Sequence, residues 1–146
     1  MTYYFNNVYI NDKFSLLAST KYKPIVMNNP DKVIDDYYVN EKSIELAESK
    51  YQETTIKGLL MKSKKLTKEV NLLINGDLQN QCLASSLASS KFKIPSCTIY
   101  SACATFVEGL IIGANIIDNK NKNTIITVSG HNLVSEKQFR FPVEYG

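Results

Sequence analysis

The segment 95–117 constrains the fold more than any other part of this 146-residue chain. It starts as a short apolar run, passes through the small residues from Ser101 to Ala104, and continues as a segment that is apolar on every side. Because a helix without a polar face must be buried, the segment predicts a strand, a sharp turn and a buried helix at 104–118. Cys103 then lies between a strand end and a helix start, where it is either a small buried thiol or a site of chemistry.

Strand and helix patterns alternate along the chain on both sides of this segment. Apolar residues at helical spacing predict an amphipathic helix at about 40–64, with Asn40 as its N-cap and a cluster of lysines at its C-terminal end. Short apolar runs predict buried strands, and an Ala-, Leu- and Ser-rich stretch predicts another helix. These strands are expected at 70–74, 97–100 and 124–128, and this helix at 78–90.

The first 36 residues carry less regular patterns. Aromatic and β-branched runs at 2–5 and 8–10, separated by an Asn-Asn pair, predict an opening strand or hairpin. Residues 11–36 contain Pro24 and an Asn-Asn-Pro-Asp turn signal, which predict a long irregular excursion. A loop of that length inside a compact domain usually has a function or covers a partner surface.

Helices that alternate with apolar strands indicate an α/β fold with a largely parallel sheet. In such a sheet, ligands bind at the carboxyl ends of the strands. Asp77, Cys103 and His131 each follow one of the predicted strands, so all three are expected at that edge. Cys103 also lies at a helix N-terminus, which favours an anion or a thiolate.

Composition excludes several other classes of function. The chain has the length of one domain, and 44% hydrophobic with 21% charged residues is typical of a globular protein. A net charge of +3 with scattered lysines gives no support for nucleic-acid binding. Three cysteines without CxxC spacing and one histidine predict reduced thiols and no metal site. No signal peptide or transmembrane segment is expected, and no cofactor is predicted.

Six stretches of the sequence together resemble the stage V sporulation protein AD family. The aspartate motif, the cysteine turn, the His-Asn pair and the ending, in this order, make the combination specific. The stretches are IDDYY at 34–38, EKSIELAESK at 41–50, INGDLQNQ at 74–81, YSACATFVEG at 100–109, SGHN at 129–132 and EKQFRFPVEYG at 136–146.

The resemblance implies a thiolase-like fold and a role in spore formation. It implies a non-catalytic, ligand-binding subunit for dipicolinic acid uptake into the developing spore. Such a protein is expected inside the cell, peripheral at the inner spore membrane, with membrane-embedded proteins of the same uptake system as partners.

The resemblance also implies a set of ligand-binding residues. Carried over by position, these are Asp77, Cys103 and His131. Dipicolinate is a pyridine dicarboxylate and needs N–H donors, which Asn132 and Arg140 would add to the cysteine turn and His131. Asp77 would repel a free dianion, so it either orients a donor or meets a Ca²⁺ ion bound by the ligand.

Two departures from the family pattern concern the N-terminal region and the cysteine turn. KFSLLASTKYKPIV at 13–26 replaces the family's usual stretch after the first strand. Ala102 precedes the cysteine where the family usually has glycine, and Ala104 with Thr105 replaces Ser-Thr. The loss of that serine removes one hydroxyl from the turn.

The length of the chain departs further from the family pattern. We expect residues 1–146 to form an incomplete N-terminal half of a thiolase-like domain, which leaves one side of the 104–118 helix uncovered. A missing C-terminal half or a second chain would then be needed as partner. Two other hypotheses stay open: an acyl-transfer or condensing enzyme with Cys103 as nucleophile, and a truncated remnant without function.

Overall fold

The computed structural model describes residues 2, 4–18, 29–79, 82–119 and 123–131. Strands and helices alternate along these residues, as the sequence predicts. In chain order they are β1 (Leu16–Ala18), β2 (Lys32–Ile34), α1 (Ile44–Lys62), β3 (Leu72–Gly76), α2 (Leu83–Ser89), β4 (Ser96–Thr98), α3 (Thr105–Asp118) and β5 (Ile125–Ser129). Short 3-10 turns lie at Thr67–Glu69 and Ala102–Ala104.

The main sheet has the strand order β4-β3-β5, and both of its strand pairs are parallel. Leu73 of β3 is opposite Ser96 on one side and Ile126 on the other. Because the strands run in one direction, they end at a common edge, where Gly76 is paired with Ser129. β1 and β2 form a separate parallel pair. The predicted parallel sheet is therefore confirmed.

Helices cover both faces of the main sheet, which makes an α/β/α sandwich. Strand side chains alternate between the faces. On the α1 face, the core cluster joins Ile56 to Leu73, Ile126 and Val128. On the α3 face, the nearest neighbours of the helix glycines are side chains of the intervening strand positions. A Cβ on Gly113 would lie 3.5 Å from Ile125, 3.7 Å from Ile74 and 3.7 Å from Thr127.

Helix α1 lies within the predicted helix 40–64, but its N-cap differs from the prediction. The side chain of Ser43 caps it and accepts a hydrogen bond from the Leu46 N–H at 3.3 Å. Asn40 instead has φ of 59° in a preceding turn, where the Asp36 carboxylate accepts its N–H at 2.7 Å. The prediction of Asn40 as N-cap is wrong because Asp36 already organises that turn.

Helix α3 is present where the 104–118 helix is predicted, but it is not buried on all sides. Among the described residues, the sheet covers one face of the helix, and large apolar side chains away from the sheet are exposed. The buried residues of the helix are Thr105, Gly109 and Gly113, and large exposed ones include Phe106 (46%), Val107 (56%) and Ile111 (43%).

The N-terminal region differs most from the predictions. Within residues 2 and 4–10 the structure has no strand, so the predicted opening strand or hairpin is wrong for these residues. Tyr4, Tyr9 and Ile10 are 85%, 80% and 77% exposed, and strand propensity has little effect without a paired, half-buried surface. The predicted irregular excursion at 11–36 is also partly wrong, because β1 and β2 lie within it; residues 19–28 lie outside the described residues.

The other elements are confirmed with shifted ends. β3 begins and ends two residues later than the predicted strand 70–74, and β5 begins and ends one residue later than 124–128. β4 covers only part of the predicted strand 97–100 and begins one residue earlier. The helix predicted at 78–90 begins at Leu83. In the part of the chain that the structure describes, no helix combines the length and the apolar run required to cross a bilayer.

Candidate functional site

Three of the predicted site residues follow the three strands of the main sheet. Asp77 comes directly after β3, Cys103 lies in the 3-10 turn after β4, and His131 comes shortly after β5. Since the strands are parallel, the topology places all three residues at the carboxyl edge of the sheet. The other two predicted residues, Asn132 and Arg140, lie outside the described residues.

Asp77 is fully buried, and its carboxylate accepts hydrogen bonds from the protein itself. Oδ1 accepts the Gln79 N–H at 2.7 Å, and Oδ2 accepts the Ser85 N–H at 2.8 Å and the Ser85 hydroxyl. These bonds organise the turn after β3, which explains why α2 begins at Leu83. A ligand-bound Ca²⁺ ion would have to displace these donors, so the geometry favours the role of orienting other groups.

Asp77 belongs to a larger buried polar network beneath the edge. Gln52 of α1 donates to the Gly76 carbonyl at 3.0 Å and to the Ser85 hydroxyl at 2.8 Å. Asn75 donates to the Gln52 side-chain oxygen at 3.2 Å and to the Ser85 carbonyl at 2.7 Å. Thr98 of β4 donates to Asn75 at 3.1 Å. The network therefore ties two helices and two strands together at the site.

The sequence analysis does not identify this network. One signal for it in the sequence is Asn75, an amide in an otherwise apolar strand. A second signal is the pair Glu48 and Gln52, four residues apart on α1 and therefore on one face of the helix. That face is the buried one, since both residues are at most 1% exposed.

The turn that carries Cys103 has an unusual backbone. Ala102 has φ of 47°, in the left-handed region that favours glycine. Thr105 closes the turn: its hydroxyl accepts the Ser101 N–H at 3.1 Å and donates to the Ala102 carbonyl at 2.8 Å. Cys103 is exposed at the start of α3. The glycine that the family usually has before the cysteine would fit this backbone without strain.

The three cysteines are free thiols, as predicted, but they differ in accessibility. Cys97 and Cys103 are exposed, whereas Cys82 is buried. Burial, with a smaller effect from the negative charge of Asp77, raises the pKa of the Cys82 thiol. The Cys82 thiol donates to the Ile99 carbonyl at 3.4 Å. Cys103 is therefore the accessible thiol at the start of α3.

His131 is exposed and follows a buried glycine. The N–H of Gly130 donates to the Gly76 carbonyl at 3.1 Å, which anchors the segment after β5 to the end of β3. Within the described residues, no group of three or more His, Cys, Asp or Glu side chains has a metal-binding arrangement. The site as described offers a thiol, an imidazole and the first turn of α3.

Comparison with known proteins places this chain in a family. The sequence profile of stage V sporulation protein AD (SpoVAD) matches residues 2–146. The chain belongs to the stage V sporulation protein AD family.

A curated family member agrees with this result. The stage V sporulation protein AD of Bacillus subtilis (strain 168) is 33% identical over 117 residues, which are 80% of this chain and 35% of the relative. The chain thus spans about a third of the length of that relative.

Solved structures show that this chain has a thiolase-like fold. One variant of Xanthomonas campestris OleA matches with a TM-score of 0.54 at 19% identity, over 75% of this chain and 32% of OleA. A second OleA variant, solved with bound lauric acid and lauroyl-CoA, matches with a TM-score of 0.52 at 21% identity, over 63% of this chain and 30% of OleA. At these identities the likeness concerns the fold alone.

Proposed function

We propose that this sporulation protein is a non-catalytic subunit that binds dipicolinic acid for uptake into the developing spore. Membership in the stage V sporulation protein AD family is the observation that carries the proposal. The position of Asp77, Cys103 and His131 at one edge of the sheet supports it, because ligands of parallel sheets bind at that edge.

The chemistry of the edge suits a dicarboxylate. The positive dipole end of α3 favours one carboxylate beside Cys103. His131, Asn132 and Arg140 are proposed as donors to the ligand. Asp77 is proposed to act indirectly, since its carboxylate is occupied by the Gln79 and Ser85 donors.

Isothermal titration calorimetry with dipicolinate tests this proposal. We expect binding by the wild-type chain and at least about tenfold weaker binding after His131→Ala or Arg140→Ala, since each removes a donor to a carboxylate. Cys103→Ala should alter the affinity, whereas Cys97→Ala is the matched control, because it removes an exposed thiol on β4. Equal affinities in all four variants would contradict the proposed site.

An acyl-transfer activity is a second candidate, favoured by the exposed thiol of Cys103 at the start of α3. The Cys103 thiolate would attack the carbonyl carbon of an acyl thioester. A new thioester forms on Cys103, the old C–S bond breaks, and the released thiolate takes up a proton. Mass spectrometry after incubation with an acyl-CoA would show the added acyl group on Cys103, absent in Cys103→Ala and retained in Cys97→Ala.

The two assays also address the third hypothesis. A chain that binds no dipicolinate and accepts no acyl group, either alone or with its partner, would fit a remnant without function.

We further propose that the open face of α3 docks a partner that completes the fold, either the C-terminal part of a thiolase-like protein or a second chain. The exposed side chains of Phe106, Val107 and Ile111 support this, as does the match to only 35% of the curated relative. The assembly would be peripheral at the inner spore membrane, beside membrane-embedded proteins of the uptake system.

Co-expression with the C-terminal two-thirds of the Bacillus subtilis relative tests the docking surface. The two chains should co-purify, and the double substitution Val107→Lys with Ile111→Lys should separate them. Met61→Lys is the control, because Met61 is 80% exposed on a different helix. Co-purification that survives the double substitution would place the partner elsewhere.

A further inference from the structure

Glu48 is a charged residue with no solvent exposure at all. Burial of a carboxylate is costly, so such a residue stands out in the interior of a small domain. It lies on α1, one helical turn before Gln52, on the face directed toward the sheet. Its Oε1 lies against Gly130: a Cβ atom added to Gly130 would overlap this oxygen.

Gly130 connects the polar network to the candidate site. Its N–H donates to the Gly76 carbonyl at 3.1 Å, and the same carbonyl accepts the Gln52 side chain at 3.0 Å. The next residue, His131, is exposed at the edge. The turn at 130–131 is therefore held by a hydrogen bond to β3 and by packing against α1.

The glycine at position 130 is required by space and not by backbone conformation. None of the described glycines has a positive φ, so an alanine at this position would meet no backbone strain. The obstacle is Glu48, with the Gln52 amide nitrogen next at 3.3 Å from the added Cβ. The carboxylate of Glu48 thus occupies the volume that any larger residue at position 130 would need.

We propose that Glu48 is a positioning residue for the ligand site, whose buried carboxylate fixes the place of His131 by packing against Gly130. This inference rests on the proposed function in one respect, namely that His131 contacts the ligand. A shift of about half an ångström in a binding group is enough to weaken a site of this kind. Glu48 itself does not touch the ligand.

A size-swap experiment tests the proposal. Glu48→Ala alone should leave the turn without its contact and move the His131 NMR signals, and unchanged signals in that folded variant would overturn the inference. Gly130→Ala should displace the turn by overlap with Glu48. Glu48→Ala together with Gly130→Ala should restore it, because the new methyl group fills part of the space that the smaller residue at position 48 vacates. Gly113→Ala is the matched control, since its Cβ would make only ordinary contacts at 3.5 Å or more.

Two measurements are made on each variant. The chain has one histidine, so the imidazole of His131 gives a single set of NMR signals that reports on its surroundings without any ligand. Dipicolinate affinity by calorimetry is the second. We expect Gly130→Ala to move the His131 signals and to weaken binding about tenfold, and the double variant to recover both within about threefold.

The outcomes separate this inference from the proposed function. Unchanged His131 signals in a folded Gly130→Ala protein would overturn the inference. If Gly130→Ala does not fold, a double variant with wild-type His131 signals supports the inference, and one that fails to restore them overturns it. Absence of dipicolinate binding by the wild-type protein would count against the proposed function alone, because the NMR signals still decide whether Glu48 positions His131.

Discussion

The two helices on opposite faces of the main sheet reverse the usual relation between polarity and burial. α1 buries Glu48 and Gln52, which are at most 1% exposed. α3 leaves Phe106, Val107 and Ile111 between 43% and 56% exposed. The α1 face, closed by α2 and the polar network, is hereafter the closed face, and the α3 face is the open face.

The difference shows how the two faces of the sheet are covered by the described residues. On the closed face, the buried polar groups of the network are joined by hydrogen bonds, which is how a protein interior tolerates them. On the open face, apolar side chains remain partly exposed to water, which supports the proposed docking surface. The candidate site lies where the two faces meet, at the carboxyl edge of the strands.

Removal of the Asp77 carboxylate should have the largest effect on stability, because it breaks hydrogen bonds of the buried network on the closed face. In Asp77→Ala the buried N–H of Ser85 and the part-buried N–H of Gln79 lose their acceptor. We expect the free energy of unfolding to fall by about 3 kcal/mol, measured by urea denaturation. Asp35→Ala, at an exposed aspartate, is the control and should change it little. A similar small change in both variants would show that the network does not hold the closed face together.

Relief of strain at Ala102, in the turn that leads into α3, should change the free energy of unfolding by a smaller amount and in the opposite direction. Glycine adopts φ near 47° without the steric cost that alanine has there, so Ala102→Gly should raise the free energy of unfolding by about 1 kcal/mol. Ala104→Gly is the control, since Ala104 has φ of −88° and should gain nothing. Destabilisation by Ala102→Gly would show that the turn has another backbone conformation.

The smallest effect on stability is expected at the ion pair between Lys62, at the end of α1, and Asp31, just before β2. Lys62 donates to Asp31 at 2.7 Å, and this hydrogen bond, with the Ser15 N–H, lowers the pKa of Asp31 from 3.8 to about 2. A lowered pKa in the folded state means that the contribution to stability is present above pH 3.8 and is lost as the pH falls through 2.

Lys62→Met should therefore cause a small drop in melting temperature at neutral pH. The pair is at the surface, so the drop should shrink at high salt, and it should vanish once the pH lies well below the Asp31 pKa of about 2. Lys42→Met, at another exposed lysine, is the control. A difference between Lys62→Met and the wild-type protein that persists well below the Asp31 pKa of about 2 would assign the effect to packing of the side chain.

Much of the sheet could be predicted from the sequence because its signals are local. The apolar runs at 70–74 and 124–128 correspond to β3 and β5, and the helical spacing after residue 40 corresponds to α1. The parallel arrangement followed from the alternation of these elements. The parallel arrangement in turn predicted that Asp77, Cys103 and His131 lie at one edge of the sheet.

The parts that were wrong or missed depend on contacts between distant residues. Asn40 has the chemistry of an N-cap, but Asp36 fixes its N–H in an earlier turn. The aromatic run at the N-terminus has strand propensity, yet the structure gives it no paired strand among residues 2 and 4–10. Glu48 lies against Gly130, far away along the chain, and the spacing of Glu48 and Gln52 does not by itself show that their shared face is buried.

Sedimentation of the chain by itself tests most directly the claim that one face is closed and the other is a docking surface. The wild-type chain and Met61→Lys should associate as concentration rises, whereas Val107→Lys with Ile111→Lys should remain monomeric, because the lysines remove the apolar surface of α3. A wild-type chain that stays monomeric at every concentration and melts in one sharp, reversible transition would contradict the account.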